Sequence, residues 1–179
     1  MLITETAPQK IWPIINTTMM KRLAAGCRCA PQENAGKKQI MSARKKKRVL
    51  FVCVENSNRS QMAEAFVRIH GEEIIEASSA GSRPSGTINP RAVKSMLELG
   101  YDLSAHTSKS LLDIPDIEYD YVATMGCGDE CPFIRAKWRE DWEIPDSKHM
   151  EADAFRVVRD EIEARVKTVI AKLATDGGN

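Results

Sequence analysis
Two groups of residues in this chain have the types and spacing that thiol chemistry requires. Cys53-Val54-Glu55-Asn56-Ser57-Asn58-Arg59-Ser60 is a C-x5-R-S segment, and Cys127-Gly128-Asp129-Glu130-Cys131 holds two more thiols with three residues between them. A cysteine followed by an arginine at this spacing has chemical meaning only if the backbone between them forms a cradle. Loop amides at a helix start converge on one point, the helix dipole adds positive potential there, and a tetrahedral oxyanion is the natural occupant. Arg59 can lay a bidentate fork on two of its oxygens. The same field favours a thiolate at Cys53 and makes it a nucleophile, with Ser60 in reach to donate a hydrogen bond to the sulfur. Asn56, Ser57, Asn58, Arg59 and Ser60 are the expected anion-binding residues. The bland alternative is a buried core cysteine and a surface arginine. C-x5-R is common by chance, so the surrounding elements must decide.

Those elements favour the cradle. Val49-Leu50-Phe51-Val52-Cys53-Val54 is an unbroken apolar run, the pattern of a strand buried on both faces of a parallel sheet. Met62, Phe66 and Ile69 recur at helical spacing after the motif, and Gly71 is placed to stop that helix. A second strand is expected over residues 74–79 and a loop over residues 81–86. Asn89-Pro90 caps and starts a helix with an apolar stripe at Ala92, Val93, Met96 and Leu97, closed by Gly100. Tyr119 to Met125 reads as a third strand. Phe155, Val158, Ile162, Val166, Val169 and Leu173 form the stripe of a final amphipathic helix. Strands alternating with helices predict an α/β fold, three layers α/β/α with a central, roughly four-stranded parallel sheet. Cys53 and Cys127 both fall near carboxyl ends of strands, where such folds place ligands, so all three thiols can serve one site.

Composition adds a boundary. Residues 1–48 carry 11 Lys/Arg against 2 Glu, whereas the remainder carries 15 basic and 23 acidic residues. Residues 1–45 also contain Pro8, Pro13 and Pro31 and show no sustained period, so they are expected to form a disordered basic extension, with a targeting peptide as the alternative. The domain is expected over residues 46–179. A basic segment joined to an acidic domain does not point to nucleic acid, and no run is long enough to span a membrane. Five cysteines, an odd number, argue against a disulfide framework and for reduced thiols in the cytoplasm.

The segment from Val49 to Phe66, with Cys53, Asn56, Ser57, Arg59, Ser60 and Gln61-Met62-Ala63-Glu64, resembles the anion loop of the low-molecular-weight protein tyrosine phosphatase superfamily, and most closely its thioredoxin-coupled arsenate reductase branch. The resemblance continues through Ser79-Ala80-Gly81, Asn89-Pro90-Arg91-Ala92, His106-Thr107-Ser108-Lys109 and Met125 to Pro132, and covers about residues 48–173. It implies a three-cysteine relay. Cys53 attacks arsenate, Cys127 attacks the adduct and releases arsenite with a Cys53–Cys127 disulfide, and Cys131 then makes a Cys127–Cys131 disulfide that thioredoxin reduces. Phosphate is the expected substrate analogue, and no cofactor or metal is implied. From the residues alone, Cys127 and Cys131 can also be buried small hydrophobes or half of a zinc site, although no histidine has paired metal-ligand spacing with them.

Position after Trp142 and before the last helix matches Asp146 to the family's general acid. The register is open, because Pro145 precedes Asp146 where the family usually has a proline after it, and Asp141 and Glu143 are nearby carboxylates. Ser147-Lys148-His149 replaces the aromatic pair often found in tyrosine phosphatases, which weakens a phosphotyrosine substrate. Some relatives hold potassium beside the loop, at positions matching Asn56, Glu64, Ser79 and Thr107. Lys109 stands where an acid is expected and would repel a cation, so no required potassium is predicted. Glu55 stands where relatives commonly have glycine, and its carboxylate must turn away or compete with the substrate. Two other functions fit the same residues: a phosphomonoesterase with a redox-regulated site, and a silent oxyanion-binding redox sensor.

Overall fold
The structure, a computed structural model, describes residues 45–126 and 133–176. The N-terminal segment of residues 1–44 with Cys27 and Cys29, and the Cys127 and Cys131 pair, lie outside the described residues.

Four parallel strands form one sheet in the order β2-β1-β3-β4: β1 Lys47–Cys53, β2 Ile75–Gly81, β3 Tyr119–Met125 and β4 Ala136–Asp141. β1 is central, which is why its sequence is apolar without alternation and why Val49 to Val52 are fully buried. Its register sets Cys53 opposite Gly81 of β2 and Met125 of β3. The carboxyl ends of the three strands therefore meet at one edge.

Side chains alternate across the strands. Val49 and Phe51 share one cluster with Tyr121, Ala123 and the apolar faces of α1 (Arg59–His70), α2 (Pro90–Leu97) and α3 (Ala152–Thr175). Leu50, Val52 and Val122 face the other way and are covered by Leu111, Ile114, Ile117 and Ile134. All six apolar positions expected to face inward from the last helix, Phe155 through Leu173, are buried. Asn89 Oδ1 accepts from Arg91 N with Pro90 at the first helical position, as the sequence predicts. No helix of the described residues is long and apolar enough to cross a membrane.

Three details differ from expectation. β4 has the sequence Ala136-Lys137-Trp138-Arg139-Glu140-Asp141, which carries no hydrophobic run because it is an edge strand with mostly exposed side chains. Ile69 and Leu97, expected in apolar stripes, are 41% and 53% exposed. Gly71 ends α1 with an ordinary negative φ of −146°, and a Cβ there would stand 2.9 Å from Ile170, so closeness to α3 is what requires glycine.

Phe51 joins the sheet to the segment after β4, its ring 5.7 Å from that of buried Trp142. Phe51→Ala should lower the free energy of unfolding by about 3–5 kcal/mol, the range for a fully buried phenylalanine. A urea titration followed by circular dichroism measures it.

Candidate active site
Cys53 is the last residue of β1 and Arg59 the first of α1, so the five residues between them make the turn from strand to helix. Every carbonyl of that turn is claimed from outside. Cys53 O accepts from Ser82 N, Val54 O from Arg83 N, Glu55 O from Ser85 N and Ser108 Oγ, Asn56 O from Gln61 Nε2, Ser57 O from Asn89 N and Asn58 O from Met62 N. In a trans peptide the N–H of the next residue points opposite to the C=O, and no peptide bond of the described residues is cis. The amides of residues 55–59 are therefore turned inward, and none of them has an acceptor among the described residues. Five convergent donors at a helix start make an anion cradle.

Asn56 shapes the turn. Its φ is +46°, the one positive value among the described non-glycine residues, and asparagine tolerates it better than most side chains. An amide side chain has two donor hydrogens and two acceptor positions, and all four are used. Nδ2 donates to Ser60 Oγ and Ser79 Oγ, each at 2.9 Å, while Oδ1 accepts from Gln61 Nε2 at 2.9 Å and Lys109 N at 2.7 Å. The Asn56 side chain thus has no capacity left for a substrate. Ser60 Oγ lies 2.9 Å from Cys53 Sγ and already accepts from Asn56. With Cys53 as a thiolate, the Ser60 hydroxyl must be the donor.

The second Asn56 donor leads to another anion. Ser79 donates to Glu64 Oε2 at 2.6 Å, and Glu64, buried within α1, is also met by Arg68 Nη2 at 2.7 Å and Lys109 Nζ at 3.4 Å. Burial alone would raise the pKa of this carboxyl, but the Ser79 hydrogen bond and the Lys109 and Arg68 charges hold it below the usual carboxylate range. Lys109 and Arg68 are thus counter-charges to Glu64 within the chain itself. Gln61 is oriented in turn by half-buried His106, whose Nδ1 lies 2.8 Å from Gln61 Oε1 and Nε2 2.8 Å from Tyr101 Oη. Because Gln61 Nε2 faces carbonyl oxygens, Oε1 must accept, which puts the His106 proton on Nδ1. Burial pushes His106 toward the neutral ring.

Cys53, Ser57, Asn58 and Arg59 line one wall of a cavity of about 230 Å³, with Gly126, Glu55, Asp146 and Lys148 completing it. Asn56 and Ser60 stand behind Cys53 and support it. Arg59 is buried, its Nη1 donating to Ile144 O at 2.8 Å and its Nη2 lying 3.8 Å from Asp146 Oδ1. Asn58 Nδ2 donates to buried Ser147 Oγ at 2.8 Å. These contacts fix the register of the segment after β4. Trp142, Ile144 and Ser147 point inward, Asp141 is occupied by the Thr124 hydroxyl at 2.7 Å, and Asp146 is the carboxylate at the cavity. Two glycines permit the approach. Gly126 has φ +69° and a Cβ there would sit 2.9 Å from Arg59 Nη1, while a Cβ on Gly81 would sit 2.6 Å from Val54 O and 2.8 Å from Asn56 N.

Glu55 does turn aside. One carboxylate oxygen accepts from Lys148 Nζ at 2.5 Å and the other from Ser57 Oγ at 3.3 Å. The Lys148 hydrogen bond outweighs partial burial and holds Glu55 below the usual carboxylate range.

Residues 48–178 match the family described as low molecular weight phosphotyrosine protein phosphatase. The chain belongs to that family. Within it the similarities run to arsenate reductases. A glutaredoxin arsenate reductase of Synechocystis is 37% identical over 131 residues, which are 72% of this chain and 99% of that protein. A solved arsenate reductase in a phosphate-binding state shares 36% identity with a TM-score of 0.65, covering 71% of this chain and 98% of its own. A thioredoxin-dependent arsenate reductase of Corynebacterium glutamicum shares 32% identity with a TM-score of 0.61, covering 75% of this chain and 65% of its own. Sequence reasoning singled out Cys53, Arg59 and Asp146, which the fold brings to one cavity. It gave no role to Gln61, Ser147 or Lys148, whose parts depend on contacts across the fold.

Loss of a hydrogen bond to a charged group costs about 1.5–3 kcal/mol. Ser60→Ala should therefore slow alkylation of Cys53 by iodoacetamide near neutral pH by roughly tenfold or more, read on the Cys53 peptide by mass spectrometry. Glu64 gives a second expectation. With its folded-state pKa held below that of the unfolded chain, its contribution to stability is present above the usual carboxylate range and lost as pH falls through the lowered folded value. Glu64→Gln should lower stability at neutral pH and flatten its decline in acid, measured by thermal melts across pH.

Proposed function
We propose that this chain is an arsenate reductase that carries two electrons from a thioredoxin to arsenate through Cys53, Cys127 and Cys131, in the reducing cytoplasm. The reading is carried by the cradle of inward amides around a buried Cys53, in a chain whose C-x3-C pair follows directly on Gly126 at the end of β3. That strand is hydrogen-bonded to the strand of Cys53, with Met125 opposite Cys53. The similarity to arsenate reductases over nearly their whole length supports the same reading.

In the proposed reaction, arsenate seats its oxygens on the inward amides and the Arg59 guanidinium. The Cys53 thiolate, held by the Ser60 hydroxyl, attacks arsenic and forms an S–As bond. Asp146 protonates the departing oxygen, which leaves as water. The Cys127 thiolate then attacks the Cys53 sulfur. An S–S bond forms, the S–As electron pair goes to arsenic, and arsenic(V) leaves as arsenic(III) in arsenite. Cys131 attacks Cys127, freeing Cys53 as a thiolate, and the donor reduces the Cys127–Cys131 disulfide by the same exchange.

Two rival readings have observations in their favour. The family's phosphatase chemistry favours a phosphomonoesterase, because arsenate and phosphate are both tetrahedral. The glutaredoxin in the Synechocystis relative's name favours that donor over thioredoxin. Cys127→Ser should abolish multiple-turnover arsenite production while leaving Cys53 open to alkylation, and mass spectrometry of the wild type after one turnover should find the Cys127–Cys131 disulfide. Sustained arsenite production by Cys127→Ser would overturn the relay. Efficient aryl phosphate hydrolysis without a thiol donor would select the phosphatase, and faster turnover with glutaredoxin than with thioredoxin would correct the donor.

A further inference from the structure
Glu55 and Lys148 have no part in the reaction above, yet both face the cavity in which it is proposed to occur. Cys53 and Arg59 are 3% and 7% exposed, whereas the side chains of Glu55 and Lys148 are 35% and 42% exposed. The pair therefore forms part of the more exposed lining of the cavity, at its rim. It also joins two separate segments, the anion loop and the segment carrying Asp146, two residues before Lys148. Both Glu55 oxygens are engaged, by Lys148 and by Ser57, so the carboxylate is held to the cavity's lining by two partners.

We propose that the Glu55–Lys148 ion pair is a specificity bar at the mouth of the oxyanion pocket, admitting a bare tetrahedral oxyanion and disfavouring its organic monoesters. The inference rests on the reading of this cavity as an anion site. In an in-line displacement the leaving oxygen lies opposite the attacking sulfur, on the side of Asp146 and the rim. On an inorganic oxyanion that oxygen carries only a proton. On a monoester it carries a carbon substituent, which must pass between Asp146 and the ion pair. Opening the pair leaves the Glu55 carboxylate without its counter-charge beside a dianion, an arrangement that like-charge repulsion penalises. Closed, the pair is neutral and stands against the inorganic anion mainly as bulk.

The test uses protection of Cys53 from iodoacetamide in the full-length protein, read on the Cys53 peptide, with inorganic phosphate and phenyl phosphate as the two probes. Wild type should be protected by phosphate at a concentration about tenfold or more below that needed with phenyl phosphate, a difference of about 1.4 kcal/mol. In E55Q/K148M, which removes both charges and shortens the side chains by no more than the lysine's terminal nitrogen, the two probes should converge. Equal protection in wild type, or an undiminished preference in a folded double variant, overturns the proposal. Lys148→Met leaves the anion loop sequence intact and bares Glu55. It should weaken phosphate protection several-fold and more so at low ionic strength, and unchanged protection by both probes overturns the proposal as well. Absence of arsenite production with the phosphate preference intact would remove only the reductase reading. No protection of wild type by phosphate would remove the anion site and the bar together.

Discussion
The site depends on one constraint: the carbonyls of residues 53–58 are all held from outside the turn. Planar trans peptides then leave the next amides no direction but inward. The holders come from four places: Ser82, Arg83 and Ser85 after β2, Ser108 before β3, Asn89 at the start of α2, and Gln61 and Met62 within α1. An inward amide without a protein acceptor is costly to bury, and the surrounding fold bears that cost by fixing the opposite face of each peptide. The cradle is thus preorganised before any anion arrives, which is the condition under which fixed dipoles are most effective on developing charge.

Asn56 turns this backbone arrangement into control of the sulfur. Its amide sends one hydrogen to Ser60, whose Oγ lies 2.9 Å from Cys53 Sγ, and the other to Ser79, whose hydroxyl donates to Glu64. A single amide, its orientation fixed by Gln61 and the Lys109 backbone, thus supports the surroundings of both Cys53 and Glu64. Glu64 does not compete with Cys53 for a shared cation, because its own positive partners, Arg68 and Lys109, face it directly. The nucleophile is left to the serine, the helix start and the inward amides.

How much of this was legible in the sequence follows from the range of the contacts. The apolar run Val49–Val52, the Asn89-Pro90 start and the α3 stripe are local patterns, and each appears where residue spacing places it. The C-x5-R-S motif is local as well, so Cys53, Arg59 and Ser60 could be named from the chain alone. β4 could not, because an edge strand whose side chains are nearly all exposed and mostly charged carries no period that separates it from a loop. Position after Trp142 pointed to Asp146 in the sequence but left its register against Asp141 and Glu143 open; in the fold Trp142, Ile144 and Ser147 are buried, Asp141 is held by Thr124 and Asp146 lines the cavity. Asn56 was assigned to the substrate on motif position; its backbone N–H is one of the inward amides, while its side chain is taken up by four hydrogen bonds behind the sulfur. Glu55 had no explanation without Lys148, 93 residues away.

A cradle of amides and a buried thiolate serve phosphate and arsenate alike, because the two ions share shape and charge. What separates reduction from hydrolysis is the fate of the sulfur adduct: water attacks phosphorus in one case, and a second thiol attacks sulfur in the other. The second route requires that the adduct be reached from the sulfur side by a residue close in the sheet. The end of β3 is paired with the end of β1 at Met125 and Cys53, so the segment that follows it starts next to the strand that carries that sulfur. Gly126 supports the approach, since its positive φ and missing side chain let the chain leave the strand against Arg59. A hydrolase needs no thiol at that point. A cysteine directly after such a glycine in the sequence is what the proposed thiol attack on the adduct requires.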